Sequence, residues 1–350
     1  MKIVFVVPSS TRSGGIRVTV EMANHLLNAG HDVRLAIRTS QSDLRSKLKK
    51  AIKPLLRKVC VKIHDTWIQD FKGKVYYYKN LEDLTFEEGE IVIAVGPIVV
   101  QDVFNLRQNV YKMRYFHGFF EQYPDLMSSA LRPQMATMAV SALLGKKIEE
   151  YSNQPVEYII PDAINHKDYF NEHRPRDGIG TIYHPSYLKA PEETMQLLKA
   201  INMRWPFLKK YVFGTSRRPK EISRNSYWRY PSVEKSRELY NRSKIWLVTS
   251  RSEGFSLQIL EAMACGCAVI STDQMGARTL IKNNENGVIV PFGDINAFTR
   301  SIDMLLNDEQ KRLKIAEKGL ETVKEYTWGK SAQKMEQALK DVFKKHITSA

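Results

Sequence analysis

The chain has 350 residues, of which 43% are hydrophobic and 26% charged, as in a globular protein of two domains of roughly 150 residues each. Its longest uncharged apolar run, residues 91–100, is about half a membrane span, so no transmembrane helix is expected. Three cysteines exclude a disulfide framework and fit a reducing cytoplasm, while the net charge of +15 indicates an anionic partner without identifying it.

The first half of the chain alternates short apolar runs with helical patterns. The run at the start is too short for a signal peptide and predicts a strand. A loop and a helix follow it, and Gly30 caps the end of that helix. Strands are predicted at residues 2–8, 31–38, 74–79, 90–96, 112–118, 137–141 and 156–160. Short buried strands separated by helices imply a parallel sheet covered on both faces.

A basic segment stands out between the second and third predicted strands. Residues 38–62 carry nine lysines and arginines but one acid, Asp43. Apolar residues recur there at helical spacing, which predicts a basic amphipathic helix over residues 45–62, bent or restarted at Pro54. Two interpretations stay open: the helix packs on its own domain, or it lies on an anionic membrane surface.

After a polar linker at residues 162–178 the strand and helix pattern restarts. Strands are predicted at residues 179–185, 209–214, 244–250, 267–272 and 287–292, and helices at 192–203, 233–241, after Phe255, at 295–307 and at 329–346. The sequence therefore predicts an α/β protein with two doubly wound parallel sheets. Such sheets bind ligands beyond the carboxyl ends of their strands, and two facing crevices would form a cleft suited to two substrates.

The segment "SEGFSLQILEAMACGCAVIST", residues 252–272, places Glu253 and Glu261 on either side of a helix start. Ser256 is predicted to cap this helix and Gly266 to end it. Gly254 permits a close approach to the backbone, and the amides of the first helical turn suit a phosphate. Glu261 would then accept hydrogen bonds from a ribose, and Glu253 would face the group attached to the diphosphate. The alternative is an ordinary turn followed by an exposed helical glutamate.

This segment closely resembles the E-x(7)-E signature of the family 4 retaining glycosyltransferases. The matching residues are Ser250, Glu253, Gly254, Phe255, Leu257, Leu260, Glu261, Ala262, Met263, Ala264, Cys265 and Gly266. The resemblance implies the GT-B architecture, in which two Rossmann-like domains face each other across a cleft. It also implies that Glu253 touches the donor sugar, that Glu261 holds the ribose, and that the amides near Phe255, Ser256 and Leu257 hold the diphosphate.

Other parts of the chain share the resemblance. Gly14 and Gly15 resemble the family's N-terminal glycine loop, near the reacting sugar, and His117 stands where members often carry a histidine that contacts this sugar. A locally satisfied histidine is the alternative. Residues 1–165 are thus expected to form an acceptor-binding domain, to which a C-terminal helix at 329–350 returns, anchored by Trp328. Residues 166–328 are expected to bind the donor. Glu121 and Tyr123 are candidates for the acceptor side.

One departure concerns the leaving diphosphate, which needs cations. The family's lysine is present as Lys189, but His184 stands where an arginine is expected. Arg217 or Arg218 is the predicted replacement, with a solvated loop as the alternative. Tyr230, in the aromatic-rich segment 227–231, is a candidate for contact with the nucleotide base, with core packing as the alternative.

The sequence lacks the Asp-x-Asp motif by which metal-using glycosyltransferases hold a divalent ion. Cys265 and Cys267 are expected to have a packing role. The resemblance therefore predicts a retaining, metal-independent glycosyltransferase without a cofactor. Its donor would be a nucleotide-diphosphate sugar. Its acceptor would be a glycan or lipid-linked glycan in cell-surface polysaccharide assembly.

The enzyme is expected in the cytoplasm, with the inner face of the plasma membrane as its place of contact with anionic lipid. A sugar-nucleotide epimerase or a phosphorylase of the same fold is an alternative. A nucleic-acid-binding protein is a third interpretation, suggested by the charge, but no recognised nucleic-acid module supports it and nucleic acid is not an expected partner.

Overall fold

The computed structural model describes residues 1–11, 13–39 and 67–347. The predicted basic helix, with its bend at Pro54 and with Cys60, lies outside them. Contacts between Cα atoms divide the chain into two units. The first is Met1–Ile160 together with the residues from Ser331 onward, and the second is Pro161–Lys330. The boundaries at residues 165 and 328 that the sequence suggested stay predictions.

The first unit is built on a parallel sheet. Its strands are β1 (Lys2–Val7), β2 (Asp32–Arg38), β3 (Lys74–Tyr78), β4 (Ile91–Val95), β5 (Tyr111–Phe116), β6 (Ala136–Ala139) and β7 (Tyr158–Ile159). Within the described residues these strands form a seven-stranded sheet in the order β3-β2-β1-β4-β5-β6-β7, with parallel neighbours throughout. The order reverses at β1. A doubly wound sheet binds its ligands at such a reversal, beyond the carboxyl ends of the strands.

Helices of the first unit connect these strands. They are α1 (Gly14–Asn28), α2 (Val100–Phe104), α3 (Pro124–Leu131) and α4 (Ala142–Ser152). The Ser13 hydroxyl at the start of α1 accepts the Ile16 amide at 3.4 Å, and Gly30 follows its end with φ +87°, as its predicted cap role requires. Gly14 and Gly15 form the first turn of α1, whereas the sequence suggested a loop.

The second unit repeats the design with a different strand order. Its strands are β8 (Gly178–Ile182), β9 (Lys209–Gly214), β10 (Tyr227–Arg229), β11 (Ser243–Val248), β12 (Ala268–Thr272) and β13 (Val288–Val290). Within the described part they form a parallel sheet in the order β10-β9-β8-β11-β12-β13, so the reversal falls at β8, beside β11. Its helices are α5 (Pro191–Arg204), α6 (Val233–Arg242), α7 (Leu257–Ala264), α8 (Met275–Leu280), α9 (Ile295–Asn307) and α10 (Glu309–Val323). The last helix, α11 (Trp328–Ile347), belongs to the first unit from Ser331 onward.

The second sheet is held by a buried apolar cluster on one face and by aromatic rings on the other. The cluster joins strand and helix residues such as Ile245, Ile270, Leu197 and Phe298. A Cβ added at Gly180 would come within 2.0 Å of the fully buried Trp246 ring, so glycine in β8 makes room for that ring. Burial on both faces explains why these strands are continuous apolar runs.

The prediction of two α/β units with parallel sheets is confirmed. Sequence patterns gave no bounds for α2, α3 and α4 and did not predict β10, α8 or α10. Helix α10 nevertheless buries residues at helical spacing, namely Arg312, Ile315, Ala316, Gly319 and Val323. Trp328 is buried, as expected of an anchor. Among the helices that the structure describes, none combines the length and the apolar character that crossing a bilayer requires.

Candidate functional site

The site in the second unit forms where the strand order reverses. Strands β8 and β11 are parallel neighbours, with Thr181 opposite Leu247. Their carboxyl ends therefore lie at the same edge of the sheet. Lys189 ends a short 3-10 helix, Tyr187–Lys189, after β8, and Glu253 lies in the loop after β11. The topology thus brings together two residues that are distant in sequence.

The ammonium of Lys189 lies 2.8 Å from Oε1 of Glu253. The Ser250 hydroxyl donates to the same oxygen, and Nε2 of Gln258 donates to it at 3.0 Å. Burial alone would raise the pKa of Glu253, whose side chain is 7% exposed, but the Lys189 charge and these hydrogen bonds outweigh it and lower the pKa. Glu253 is therefore a buried carboxylate held in its ionised form.

Helix α7 begins at Leu257, directly after this carboxylate. Ser256 occupies the cap position, but its side chain makes no capping hydrogen bond, so the predicted capping by Ser256 is wrong. Phe255 is buried and meets the Tyr326 ring edge-on at 5.6 Å, which anchors the loop before the helix. Gly266 follows the helix with φ +77°, as predicted.

Gly276, at the start of α8, supports this loop and was missed by the sequence analysis. Its amide donates to the carbonyl oxygen of Glu253 at 2.9 Å. A Cβ at Gly276 would lie 2.7 Å from the carbonyl carbon of Phe255. Only glycine allows this close approach, so α8 and the loop that bears Glu253 are fitted to each other.

Glu261 lies one turn into α7 and is 6% exposed, which excludes the alternative of an exposed helical glutamate. Its Oε2 accepts a hydrogen bond of 2.8 Å from the hydroxyl of Tyr240, in α6. Burial and the nearby Glu261 charge raise the pKa of Tyr240 well above its usual value, so this hydroxyl stays a donor. Tyr240 thus fixes the orientation of the carboxylate, a role that no sequence motif indicated.

His184 stands at the expected arginine position and carries little charge near neutral pH. Burial, and then the charge of Lys189, lower its pKa below the usual 6.5. Its Nδ1 accepts the amide of Ser186 at 3.0 Å, which requires an unprotonated nitrogen there. The neutral form of His184 is therefore the one that the surrounding structure stabilises.

The predicted replacement cations are placed elsewhere in the second unit. The Arg218 guanidinium donates to carbonyls of its own loop, at Pro219, Lys220 and Ile222, and so holds that loop. Arg217 is exposed, as its alternative interpretation supposed. Tyr230 follows β10 with φ +50°, and the Arg229 guanidinium lies 5.0 Å from the centre of its ring.

Arg251 is a cation at the site that the sequence analysis did not single out. Its guanidinium lies 4.3 Å from the ring centres of both Tyr187 and Phe292, and it pairs with Glu193 at 3.2 Å. Its backbone amide donates to the Leu188 carbonyl at 2.9 Å. Arg251 thereby fastens the turn that carries Lys189 to the loop that carries Glu253.

The first unit brings three other predicted residues together. Gly14 and Gly15 open α1 after β1, and His117 follows β5. A Cβ at Gly15 would lie 3.8 Å from the His117 ring, so the two are neighbours. The His117 ring also lies 4.3 Å from the Tyr115 ring. Of the acceptor-side candidates, Glu121 pairs with Lys147 and Tyr123 is exposed.

The cysteines of the second unit have a packing environment. Cys265 and Cys267 are buried, and the Cys267 thiol donates to the Tyr240 carbonyl at 3.1 Å. Burial raises the pKa of Cys267 to about 12, so it is an unreactive thiol. Over residues 1–11, 13–39 and 67–347, no cluster of three or more His, Cys, Asp or Glu side chains is placed to hold a metal ion.

Part of the second unit matches a known protein family. Residues 226–322, which include Glu253 and Glu261, match the family described as glycosyl transferases group 1. The lipopolysaccharide core biosynthesis glycosyltransferase LpsE of Rhizobium meliloti is 34% identical over 79 residues, 23% of this chain and 23% of that protein. The capsular polysaccharide biosynthesis glycosyltransferase CapM of Staphylococcus aureus is 29% identical over 144 residues, 39% of this chain and 38% of that protein. The matched segments thus span well under half of these relatives.

Solved structures resemble the chain along most of its length. Sucrose-phosphate synthase of Thermosynechococcus elongatus has a TM-score of 0.72 at 16% identity, covering 98% of this chain and 99% of that one. HepE of Anabaena, solved in complex with UDP-glucose, has a TM-score of 0.75 at 15% identity, covering 97% and 100%. At these sequence identities the likeness concerns the fold alone. It confirms the expected GT-B fold class, with two Rossmann-like units.

Proposed function

We propose that this chain, which matches the group 1 glycosyltransferases over residues 226–322, transfers a sugar from a nucleotide-diphosphate donor to a glycan or lipid-linked glycan. The observation that carries the proposal is the convergence of Lys189 and Glu253 at the reversal of the second sheet, directly before α7. A cation, a buried carboxylate and a helix start at this position suit a diphosphate ester.

In this proposal the second unit binds the donor. Lys189 and the amides at the start of α7, from Phe255 to Leu257, receive the diphosphate. Glu261, oriented by Tyr240, accepts hydrogen bonds from the ribose hydroxyls. Glu253 and the backbone of Gly254 face the sugar. The buried, ionised state of Glu253 supports a role in orienting sugar hydroxyls.

The chemistry proposed is retaining and independent of metal. The bond between the anomeric carbon and the diphosphate oxygen breaks, and the charge that develops on the diphosphate is stabilised by Lys189 and the helix start. The acceptor hydroxyl attacks from the same face, and its proton passes to the departing phosphate. In the first unit, His117 with Gly14 and Gly15 forms the group proposed to meet the reacting sugar, on the unit that takes the acceptor.

The acceptor class is proposed from the relatives. LpsE and CapM are named for lipopolysaccharide core and capsular polysaccharide biosynthesis, respectively. By analogy this chain would act in cell-surface polysaccharide assembly, at the cytoplasmic face of the membrane where lipid-linked acceptors are found. HepE was solved with UDP-glucose, which makes UDP sugars the first donors to test.

The experiment is a thermal-shift panel of UDP, GDP, ADP and dTDP with their sugars, without added metal. A ligand at 100 times its dissociation constant stabilises a protein by about 2.7 kcal/mol, which a melting curve resolves. We expect one base to be selected and its shift to vanish in Glu261→Ala but persist in the control Glu317→Ala, on the exposed side of α10. No shift with any nucleotide would contradict the proposal. Product analysis without an acceptor tests the epimerase alternative, which an epimerised sugar nucleotide among the products would favour.

A further inference from the structure

The end of α5 and the turn after it carry large apolar side chains into solvent. Phe207 is 97% exposed and Met203 is 72% exposed, more than any other large hydrophobic side chain in the described residues. Single exposed hydrophobic residues are common on soluble proteins. Two such residues, four positions apart at the end of α5 and in the turn after it, form an exposed apolar tip that would gain free energy by leaving water.

The turn is held so that these side chains project. Trp205 and Leu208, which flank Pro206 and Phe207, pack against the buried cluster of the second unit. The Arg204 guanidinium covers the Trp205 ring at 5.2 Å. Because the inward positions are filled, Phe207 cannot turn into the core without displacing them.

Basic residues surround this apolar tip. Residues 199–210 contain Lys199, Arg204, Lys209 and Lys210 and no acid. Lys199 is exposed one turn before Met203, on the same side of α5. Arg204 and Lys209 pair with Asp303 and Asp177 at 2.9 and 2.8 Å but stay more than half exposed, so they still face solvent.

We propose that this surface, made of Met203 and Phe207 with the four basic residues around them, docks on an anionic lipid bilayer. The apolar tip would enter the headgroup region while the cations meet lipid phosphates, the arrangement by which peripheral proteins bind membranes. Charge favours this occupant over a second copy of the chain, because a symmetric contact would place two sets of like charges against each other. The proposal does not depend on the proposed enzymatic activity.

The test is flotation of the full chain with vesicles of phosphatidylcholine alone or mixed with phosphatidylglycerol. Phe207→Ser is expected to weaken partition onto the mixed vesicles roughly tenfold, since part of a phenylalanine burial is lost. Lys199→Gln should weaken it about fivefold at low salt, with no change on phosphatidylcholine vesicles. The matched control is Leu313→Ser, which removes a 57% exposed leucine from α10 and should leave partition unchanged.

Two outcomes would overturn the proposal. Unchanged partition in both Phe207→Ser and Met203→Ser would mean that another part of the chain makes any membrane contact. The surface would instead be assigned to a second copy if Phe207→Ser left vesicle binding unchanged and converted a dimer to a monomer in size-exclusion chromatography. The thermal shift caused by nucleotide should be unaltered in all these variants. This shift therefore distinguishes failure of the docking proposal from failure of the proposed donor site.

Discussion

Lys189 and Glu253 form an ion pair at 2.8 Å across the carboxyl ends of β8 and β11. Glu253 is almost fully buried, whereas Lys189 is 38% exposed, so the cation is the partner that an incoming ligand reaches first. A diphosphate at this position must compete with Glu253 for the ammonium. Its affinity is therefore a difference between two ionic interactions.

Lys189→Ala is expected to lower the free energy of unfolding by about 1–2 kcal/mol, because it leaves Glu253 buried without its cation. The value is below that of a fully buried pair because Lys189 is more than a third exposed. Urea unfolding of a double-mutant cycle with Glu253→Gln measures the coupling. Equal costs of Lys189→Ala in both backgrounds would show that the pair does not stabilise the fold.

Acid stability should depend on Glu253. Its pKa in the folded protein lies below the usual 4.5, since the Lys189 charge and hydrogen bonds outweigh burial. The resulting stability is present above pH 4.5 and is lost as the pH falls through the lowered pKa. Glu253→Gln should therefore show a shallower loss of unfolding free energy below pH 4.5 than the wild type. The control Glu317→Gln should follow the wild-type curve.

His184→Arg is expected to tighten nucleoside diphosphate binding about tenfold at pH 8, because it adds a permanent charge-assisted donor. The wild type should gain affinity only as the pH falls below 6.5, since burial and Lys189 lower the pKa of His184. His184→Gln, which keeps an acceptor for the Ser186 amide, should show no such gain. Calorimetric titrations at pH 6 and pH 8 measure these affinities. Equal affinities of the wild type and the two variants at both pH values would contradict the prediction.

Tyr240→Phe removes the hydroxyl that orients Glu261. We expect weaker binding of the nucleoside diphosphate, by roughly fivefold for one lost hydrogen bond acting through the carboxylate. Inorganic pyrophosphate, which has no ribose, should bind the variant and the wild type equally. If pyrophosphate binding fell as much as nucleotide binding, Tyr240 would act on the fold and not on the ribose carboxylate.

Gly276→Ala should destabilise the protein by about 1–3 kcal/mol, because the new Cβ would lie 2.7 Å from the carbonyl carbon of Phe255. If the neighbouring loop that bears Glu253 binds the donor as proposed, nucleotide affinity should fall in parallel. Gly329→Ala is the matched control, since a Cβ there meets no atom within 4 Å and alanine favours the helix. A thermal melt of the two variants should give changes of opposite sign.

Local patterns were enough to predict much of this structure. The strands could be predicted from continuous apolar runs, because parallel strands buried on both faces have apolar residues at successive positions. The run from Leu257 to Cys265, closed by Gly266, was sufficient to predict α7 and its end. By contrast, the side-chain capping by Ser256 was predicted wrongly, because a serine at the cap position does not by itself fix the direction of its hydroxyl.

Partners that come from other elements could not be predicted from one sequence. Tyr240 reaches Glu261 from α6, and Arg251 contacts the rings of Tyr187 and Phe292, which come from two separate segments of the chain. Each depends on tertiary packing, which leaves no periodic trace. Strand β10 has only three residues, Tyr227–Arg229, too few for a strand pattern to be recognised.

The aromatic packing behind Glu261 also gives the second unit an optical property. The ring of Tyr240 lies 4.1 Å from the ring of the fully buried Trp246, and both lie 5.6 Å from Phe213. Closely packed, immobile aromatic rings are the source of near-ultraviolet circular dichroism. The Glu261 carboxylate, which we propose to meet the ribose, is thus one hydrogen bond away from this aromatic cluster, and a change at Glu261 should alter a spectroscopic signal that needs no label.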